Sequence, residues 1–232
     1  MSEVLFSGRG LSYSIGSRAL LRAVDLDAFS GEILGLVGPN GVGKTTLIRL
    51  LVGQLRPSAG EVRLRGCVLP PKLSLAARAR LGVGYLPQQP SIFRALSVWE
   101  NLMAVPGARA ANAEGVLEKV SLVDARERPA AQLSGGERRR LEVARLMLMK
   151  VDVLLCDEPF AGLDPLGIAS LSELLRELAG AGRAVVVTDH RVEALFPICD
   201  EIALLLDTQI VRRASPELLS QDVLVRERYL GS

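Results

Sequence analysis

The strongest constraint on the fold of this chain is a glycine-rich loop between an apolar run and a helical segment. Residues 38–45 read GPNGVGKT, and residues 33–37, which precede them, read ILGLV. The order of apolar strand, G-x-x-x-x-G-K-[ST] loop and helix is typical of a site that binds phosphate through backbone N–H groups and a helix N-terminus. A strand that is apolar throughout is typical of a buried parallel sheet. The sequence therefore predicts an α/β core that carries a phosphate-binding loop.

The loop residues have separate expected roles. We expect Lys44 to reach the β- and γ-phosphates of ATP, and Thr45 to offer its hydroxyl to Mg²⁺. A glycine turn without a ligand is the alternative, and the presence of all the fixed positions in the required context disfavours it. The residues expected to contact the nucleotide here are Gly38, Pro39, Asn40, Gly41, Val42, Gly43, Lys44, Thr45 and Thr46.

A second motif, a pair of acidic residues, follows another apolar strand, which is predicted over 152–156. We expect Asp157, at the polar end of this strand, to hold Mg²⁺ through water. Glu158 follows at once, and a carboxylate there can orient and deprotonate a water molecule aimed at the γ-phosphate. An apolar run that ends in acidic residues is common, so this motif gains its weight from the phosphate loop.

The order of predicted elements indicates how the chain is organised. Strands over 4–6, 11–15 and 24–29, the last with alternating apolar and polar residues, predict an N-terminal antiparallel β-subdomain. Helices are predicted over 97–103, 112–120 and 135–149, the first with a capping box between Ser97 and Glu100. A helix over 165–178 and a strand over 184–188 return to the α/β pattern. We therefore expect one domain, 1–232, in which 1–88 and 151–232 form the core with its β-subdomain and 89–150 form an inserted α-helical subdomain.

Composition excludes several kinds of function. The chain has 28 basic and 26 acidic residues, so its net charge of +2 provides no strong field for nucleic acid, which is not expected as a partner. Residues 138–140, all arginine, are expected to form an exposed helix face. A single histidine excludes a His-rich metal site, and the three cysteines lack a CxxC pattern. No apolar run approaches the ~20 residues that cross a bilayer, so we expect contact with a membrane only through partners.

The segment LSGGE at 133–137, placed between the phosphate loop and Asp157, resembles the ATP-binding-cassette (ABC) ATPases. The resemblance implies a P-loop NTPase fold, ATP hydrolysis and a homodimer in which this segment of one copy closes over the ATP of the other. It assigns four residues to that ATP: Ser134, Gly135, Gly136 and Glu137. A helix-capping turn is the alternative interpretation of the segment.

Further residues match the motifs of that family. Gln88 resembles the glutamine that senses Mg²⁺ and the attacking water, and His190 resembles the histidine that touches the γ-phosphate. Asp164 lies in a segment that resembles the loop coupling the two ATP sites, and it is also a candidate helix N-cap. The expected catalytic residues are thus Glu158, His190, Gln88 and Lys44, and the expected metal ligands are Thr45, Gln88 and Asp157. The family places an aromatic residue against adenine, and the sequence leaves Tyr13 and Ile15 as alternatives.

Longer stretches resemble one branch of the family, the ATPase subunits of bacterial lipopolysaccharide exporters. They cover 84–88, 91–105, 133–140, 157–165, 188–190 and 229–231, whereas 106–132 is shorter than usual in that branch and a short tail often present there is missing. ATPase subunits of branched-chain amino-acid importers are the alternative. The resemblance implies a peripheral protein at the cytoplasmic face of the inner membrane. It also implies two transmembrane permease subunits that dock between Gln88 and Trp99, with Phe93, Leu96 and Trp99 as candidate contacts.

Overall fold

A computed structural model describes residues 3–149 and 151–222. In chain order its strands are β1 (Val4–Ile15), β2 (Arg18–Phe29), β3 (Ile33–Val37), β4 (Ala59–Leu64), β5 (Cys67–Leu69), β6 (Val83–Leu86), β7 (Val153–Asp157), β8 (Ala184–Thr188), β9 (Glu201–Leu206) and β10 (Gln209–Ala214). Its α-helices are α1 (Lys44–Leu51), α2 (Leu75–Arg80), α3 (Val98–Met103), α4 (Ala110–Lys119), α5 (Gly135–Leu148), α6 (Pro165–Gly180), α7 (Val192–Leu195) and α8 (Pro216–Gln221).

The larger sheet has the strand order β10-β9-β3-β8-β7-β6. Five of its strands run parallel, and β10 pairs antiparallel with β9 at one edge. Side chains of β3 alternate between the two faces: Leu34 and Leu36 join one buried cluster, whereas Ile33 and Val37 join the other. Both faces are covered, which explains why this strand is apolar throughout. The predicted α/β core is confirmed.

The smaller sheet is antiparallel, with the order β2-β1-β4-β5. Along β2, Val24, Leu26 and Ala28 are buried and Asp25 is exposed, which confirms the predicted alternation. The strands predicted separately over 4–6 and 11–15 are one strand, β1, whose pairing with β2 shifts between Gly8 and Leu11. Helix α1 lies between the two sheets, since its apolar residues share a buried cluster with residues of both.

The three predicted helices between β6 and β7 are confirmed to within two residues as α3, α4 and α5. The capping box that begins α3 is also confirmed, because the Ser97 N–H donates to Glu100 Oε2 at 2.7 Å and the Glu100 N–H donates to Ser97 Oγ at 3.1 Å. Helix α5 packs against α6 and β6, and α3 and α4 pack against α5, around one buried cluster. The phosphate loop and the LSGGE segment therefore begin helices on different parts of the fold.

One prediction about the surface is wrong. Arg139 is 4% exposed, and Arg138 and Arg140 are half-buried, so residues 138–140 do not form an exposed face. The cause is a set of backbone and carboxylate acceptors that surround the Arg139 guanidinium, as described below.

Two further predictions concern the chain ends and the membrane. The stretch 229–231 lies outside the residues that the structure describes. Among the residues described, no helix has the length and apolar character to cross a membrane.

Candidate functional site

The phosphate loop connects the end of β3 to the start of α1 in a conformation that requires glycine. Gly38 has a φ of 153°, and a Cβ at this position would lie 2.3 Å from the carbonyl oxygen of Leu205. Gly43, the N-cap of α1, has a φ of 117°, and its Cβ would lie 3.1 Å from the Leu20 carbonyl oxygen. A side chain at either position would strain the loop. The first N–H groups of α1 have no acceptor within the helix and are available to an anion.

The side chain of Lys44 crosses this loop. Its Nζ donates to the carbonyl oxygens of Gly38 at 2.6 Å and Pro39 at 3.0 Å, and the residue is 6% exposed. Burial lowers the pKa of Lys44, and the nearby carboxylates of Glu158, Asp157 and Asp189 oppose this shift. The loop therefore holds an ammonium group beside three carboxylates, at the place where a phosphate group would bind.

The carboxylate of Asp157 joins the loop to the sheet. Its Oδ1 accepts hydrogen bonds from Thr45 Oγ1 and Thr188 Oγ1, both at 3.0 Å. Its Oδ2 is buried and has no hydrogen-bond partner, a state that is unfavourable for a carboxylate. Mg²⁺ prefers hard oxygen ligands such as this carboxylate and the Thr45 hydroxyl. The residues at this position therefore fit a magnesium ion.

Glu158 reaches the same site because the chain turns immediately after β7. Successive side chains on a strand point to opposite faces, but Glu158 has a φ of 47°, which ends the strand and is uncommon for a residue with a side chain. Its N–H donates to the carbonyl oxygen of Thr188 at 2.9 Å, which holds this conformation. Strain of this kind is concentrated at functional sites.

Two other predicted residues lie beside the Glu158 carboxylate. Gln88 Nε2 donates to Glu158 Oε2 at 2.7 Å, and His190 Nδ1 lies 3.8 Å from the same oxygen. Asp189 is fully buried and accepts from the N–H groups of Phe160 at 3.3 Å and Arg191 at 2.9 Å, so it fixes the loop that carries His190. The structure therefore brings together four of the predicted residues: Lys44, Gln88, Glu158 and His190.

The LSGGE segment forms the N-terminus of α5. Ser134 Oγ accepts from the Glu137 N–H at 3.2 Å, and Glu137 Oε2 accepts from the Ser134 N–H at 2.7 Å. Burial acts to raise the pKa of Glu137, but hydrogen bonds from Ser134 and Arg128 hold it below its ordinary value. The Glu137 carboxylate is thus used within its own chain to cap the helix. Ser134 and Gly135 line an open cavity of about 480 Å³, together with Gly136, Gly162 and Asp164.

Asp164 also acts as a helix cap. Its Oδ1 accepts from the Gly167 N–H at 2.8 Å, so the residue is the N-cap of α6. Among the residues described, those that line the 480 Å³ cavity come from α5, α6 and adjoining turns, and the phosphate loop is not among them. Within one chain, the LSGGE segment and the phosphate loop therefore lie at separate sites.

The two candidates for the adenine contact differ in exposure. Tyr13 is half-buried and packs against the cluster that contains α1, whereas Ile15, at the end of β1, is 62% exposed. The structure leaves both residues as candidates, with Ile15 the more accessible.

Sequence reasoning missed the part played by Arg139. Its guanidinium donates to four carbonyl oxygens, those of Pro87 at 2.6 Å, Gln88 at 2.8 Å, Pro159 at 3.2 Å and Glu158 at 3.5 Å. It also donates to Glu142 Oε2 at 2.8 Å. Arg139 thus joins α5 to the segment that carries Gln88 and to the turn after Glu158. The sequence did contain one signal. Arg139 and Glu142 have opposite charges, are three residues apart and share a helix face with apolar Val143 and Leu146, which indicates a buried ion pair.

Glu142 extends this connection toward an apolar groove. Its Oε1 accepts from Ser91 Oγ at 3.0 Å and also from the Ser91 N–H. A cavity of about 350 Å³ lies beside this contact and is lined by residues of β6, α2 and α5, among them Leu75, Tyr85 and Leu146.

The three predicted docking residues differ in how far they are exposed. Phe93 is 49% exposed, and the Arg145 guanidinium lies 4.8 Å from the centre of its ring. Leu96 is half-buried. Trp99 instead packs against the core, and the Arg126 guanidinium covers its ring at 3.7 Å.

The fold and the site define a nucleotide-binding cassette with a phosphate loop. A family model described as ABC transporter matches residues 21–161. The chain is 39% identical to the lipopolysaccharide export system ATP-binding protein LptB of Acidithiobacillus ferridurans, over 100% of this chain and 98% of that protein. It is 36% identical to LptB of Escherichia coli K12, over 97% and 96% of the two chains. The chain therefore belongs to the ABC transporter family, whose ATP-binding cassettes bind nucleotide.

Solved structures share the fold. A nucleotide-free ATP-binding cassette of an ABC transporter has a TM-score of 0.89 at 22% identity, with 99% of this chain and 100% of that chain covered. The ADP conformation of an ATP-binding cassette has a TM-score of 0.89 at 24% identity, with both chains fully covered. These likenesses confirm the predicted fold class.

The network around Arg139 leads to a prediction. Arg139→Met leaves Glu142 buried without its cationic partner, so we expect the free energy of unfolding to fall by about 3–5 kcal/mol. Arg139→Met with Glu142→Gln removes that unpaired charge and retains an acceptor for Ser91, so part of the stability should return, while the carbonyl oxygens that Arg139 bonded stay without their donor. ATP hydrolysis should stay low, because the segment carrying Gln88 is still released from α5.

Urea unfolding and steady-state ATPase assays measure the two effects. Arg138→Met, at the preceding position of the same helix, is the matched control and should change the free energy of unfolding by less than ~0.5 kcal/mol. Full recovery of hydrolysis in the double variant would show that Arg139 acts through stability alone.

Proposed function

We propose that this chain is the ATP-hydrolysing subunit of a membrane transporter, active as a homodimer with ATP and Mg²⁺ at each of two sites. The carboxylate of Asp157 is the observation that carries the proposal. One of its oxygens accepts from Thr45 of the phosphate loop and from Thr188, and the other is buried without a partner. That arrangement suits a group that helps to hold a divalent cation beside a bound phosphate.

The residues around Asp157 have different roles in the proposed hydrolysis of ATP. Lys44 and the N–H groups at the start of α1 bind the phosphates, and Thr45, Asp157 and Gln88 would hold Mg²⁺, which would supply positive charge to offset the negative charge of the phosphates. Glu158 accepts a proton from the attacking water as general base. Gln88 already donates to Glu158, so it can hold that carboxylate in position. His190, 3.8 Å from the same carboxylate, contacts the γ-phosphate.

The open start of α5 supports the proposed dimer. Gly135 and Gly136, which follow the N-cap Ser134, carry N–H groups at a helix N-terminus that borders an open cavity, which suits binding of an anion from outside the chain. The phosphate groups of ATP held by a second copy are the anion we propose. Asp164 and Gly162, on the same cavity, then lie at the contact between the two copies.

The groove beside Ser91 supports docking of two permease subunits. Its lining is mostly apolar, and the exposed Phe93 ring lies near it, on the 89–150 helical subdomain. Glu142 and Arg139 join this groove to the Gln88 segment, so a partner helix seated there would act on the ATP site. The ATPase then lies at the cytoplasmic face of the inner membrane and is attached through these partners.

Lipopolysaccharide is the proposed transported molecule. Its support is the likeness over nearly the full chain to LptB proteins of several bacteria, each named for lipopolysaccharide export. Depletion of this chain in its host, followed by pulse labelling, should leave newly made lipopolysaccharide in the inner membrane. Restoration by the wild-type gene but not by Glu158→Gln is the control. Normal export, with branched-chain amino-acid uptake lost instead, would identify an importer and contradict the proposal.

Lys44→Ala removes the ammonium group from the phosphate loop. We expect ATP affinity to fall by at least ~10-fold, the size of a lost hydrogen bond to a charged group. Equilibrium binding of a fluorescent ATP analogue measures this change. Lys72→Ala, at an exposed lysine, is the control, and unchanged affinity in Lys44→Ala would contradict the assignment of the loop.

Glu158→Gln removes the proposed general base and keeps the shape of the side chain. We expect ATP binding to persist while hydrolysis slows by at least ~100-fold, and the chain should accumulate as an ATP-bound dimer. Single-turnover kinetics and analytical ultracentrifugation measure the two effects, with the exposed Glu127→Gln as control. Turnover like that of the wild type would show that another group takes the proton.

A further inference from the structure

Arg128 forms hydrogen bonds to the starts of two different helices, one through its backbone and one through its side chain. Its carbonyl oxygen accepts from the Val98 N–H, at 3.1 Å, where α3 begins. Its guanidinium Nη2 donates to Glu137 Oε1, within the first turn of α5. Each of these helices begins with a capping box. A single residue therefore connects the starts of two capped helices. The N-cap residues of these helices, Ser97 and Ser134, are 37 positions apart in the chain.

The bond to Glu137 acts on the backbone of the LSGGE segment. The other carboxylate oxygen, Oε2, accepts from the Ser134 N–H at 2.7 Å, so the carboxylate is held between Arg128 and the N-cap. An ionised acceptor makes both bonds stronger than neutral ones. Loss of the guanidinium would leave Glu137 held only through the N-cap, and the first turn of α5 would be less rigidly oriented.

The backbone on which Arg128 lies is itself fixed to the segment that carries Phe93. The Trp99 N–H donates to the Arg126 carbonyl oxygen at 2.9 Å, and the Ala131 N–H donates to the Arg94 carbonyl oxygen at 2.9 Å. Ser97 and Pro129 form an isolated β-bridge between the same two segments. Residues 126–131 therefore form a strip that leads from the proposed docking segment to the LSGGE segment.

We propose that Arg128 is a positioning residue that orients the N–H groups of Gly135 and Gly136, next to the N-cap Ser134, toward the ATP held by the second copy. This inference rests on the proposed function, because the ATP in question belongs to the partner in the proposed dimer. Among the residues that the structure describes, Arg128 forms no hydrogen bond or ion pair with the phosphate loop of its own chain. Its effect is therefore on closure of the dimer and not on the first binding of ATP.

Arg128→Met in the Glu158→Gln chain tests this role, since methionine keeps an apolar stem and removes the guanidinium. ATP affinity of the monomer should stay unchanged, whereas ATP-dependent dimerisation, measured by analytical ultracentrifugation, should weaken by about tenfold. Arg128→Lys, which retains the charge, should recover most of the dimerisation. Arg126→Met is the matched control, because that residue lies on the same strip but pairs with Glu114 and Glu127.

Hydrogen–deuterium exchange of the ATP-free monomer provides a readout that does not need a dimer. The amides of 134–138 should exchange faster in Arg128→Met than in the parent chain, and Arg126→Met should not change them. Unchanged exchange, equal losses in Arg126→Met, or a parallel loss of monomer ATP affinity would each overturn the role of Arg128. Failure of the Glu158→Gln parent itself to dimerise with ATP would contradict the proposed dimer, while the exchange experiment would still decide whether Arg128 orients the segment.

Discussion

The hydrogen bonds that Asp157 accepts from Thr45 and Thr188 are the interactions on which the rest of the site depends. They join the helix that follows the phosphate loop to the ends of two neighbouring strands, β7 and β8. Parallel strands bring their carboxyl ends to one edge of a sheet, and open α/β sheets place ligand sites at that edge. The sharp turn at Glu158 then adds a second carboxylate at the same place, where Gln88 and His190 approach it.

Two arginines of the helical region make connections on which the account depends, one to this edge and one within the helical region itself. Arg139 is buried, and its guanidinium satisfies carbonyl oxygens of the Gln88 segment and of the turn after Glu158. Arg128 is partly exposed, and it connects the start of α3 to the start of α5. The first residue joins the groove to the ATP site of its own chain. The second joins the same region to the surface that we propose faces the other copy.

The sequence predicted the features that local spacing controls. The phosphate loop, the acidic pair after β7, the capping box at Ser97 and the helix cap at Ser134 each depend on residues close together in the chain. Arg139 could not be placed in this way, because its backbone acceptors Pro87 and Gln88 lie 52 and 51 residues earlier. Strands β5 and β10 were missed because they lie at sheet edges, where polar residues face solvent and the apolar pattern is weak. Strand β4 was missed because only two of its six residues, Val62 and Leu64, are buried. The buried strand β9 was not predicted, since a short apolar run such as 203–206 does not distinguish strand from helix.

The central claim of this account is that each ATP site is built from the phosphate loop of one copy and the LSGGE segment of another. Mixing two variants tests it most directly: Lys44→Ala, which lacks a working phosphate loop, and Gly135→Asp, which places a carboxylate at the start of α5. A Cβ at Gly135 meets only ordinary contacts, the nearest at 3.6 Å from the Gly162 carbonyl oxygen, so the second variant should fold. The account predicts that neither variant alone hydrolyses ATP and that their mixture does, because a mixed dimer contains one intact site. A mixture as inactive as its components would contradict it.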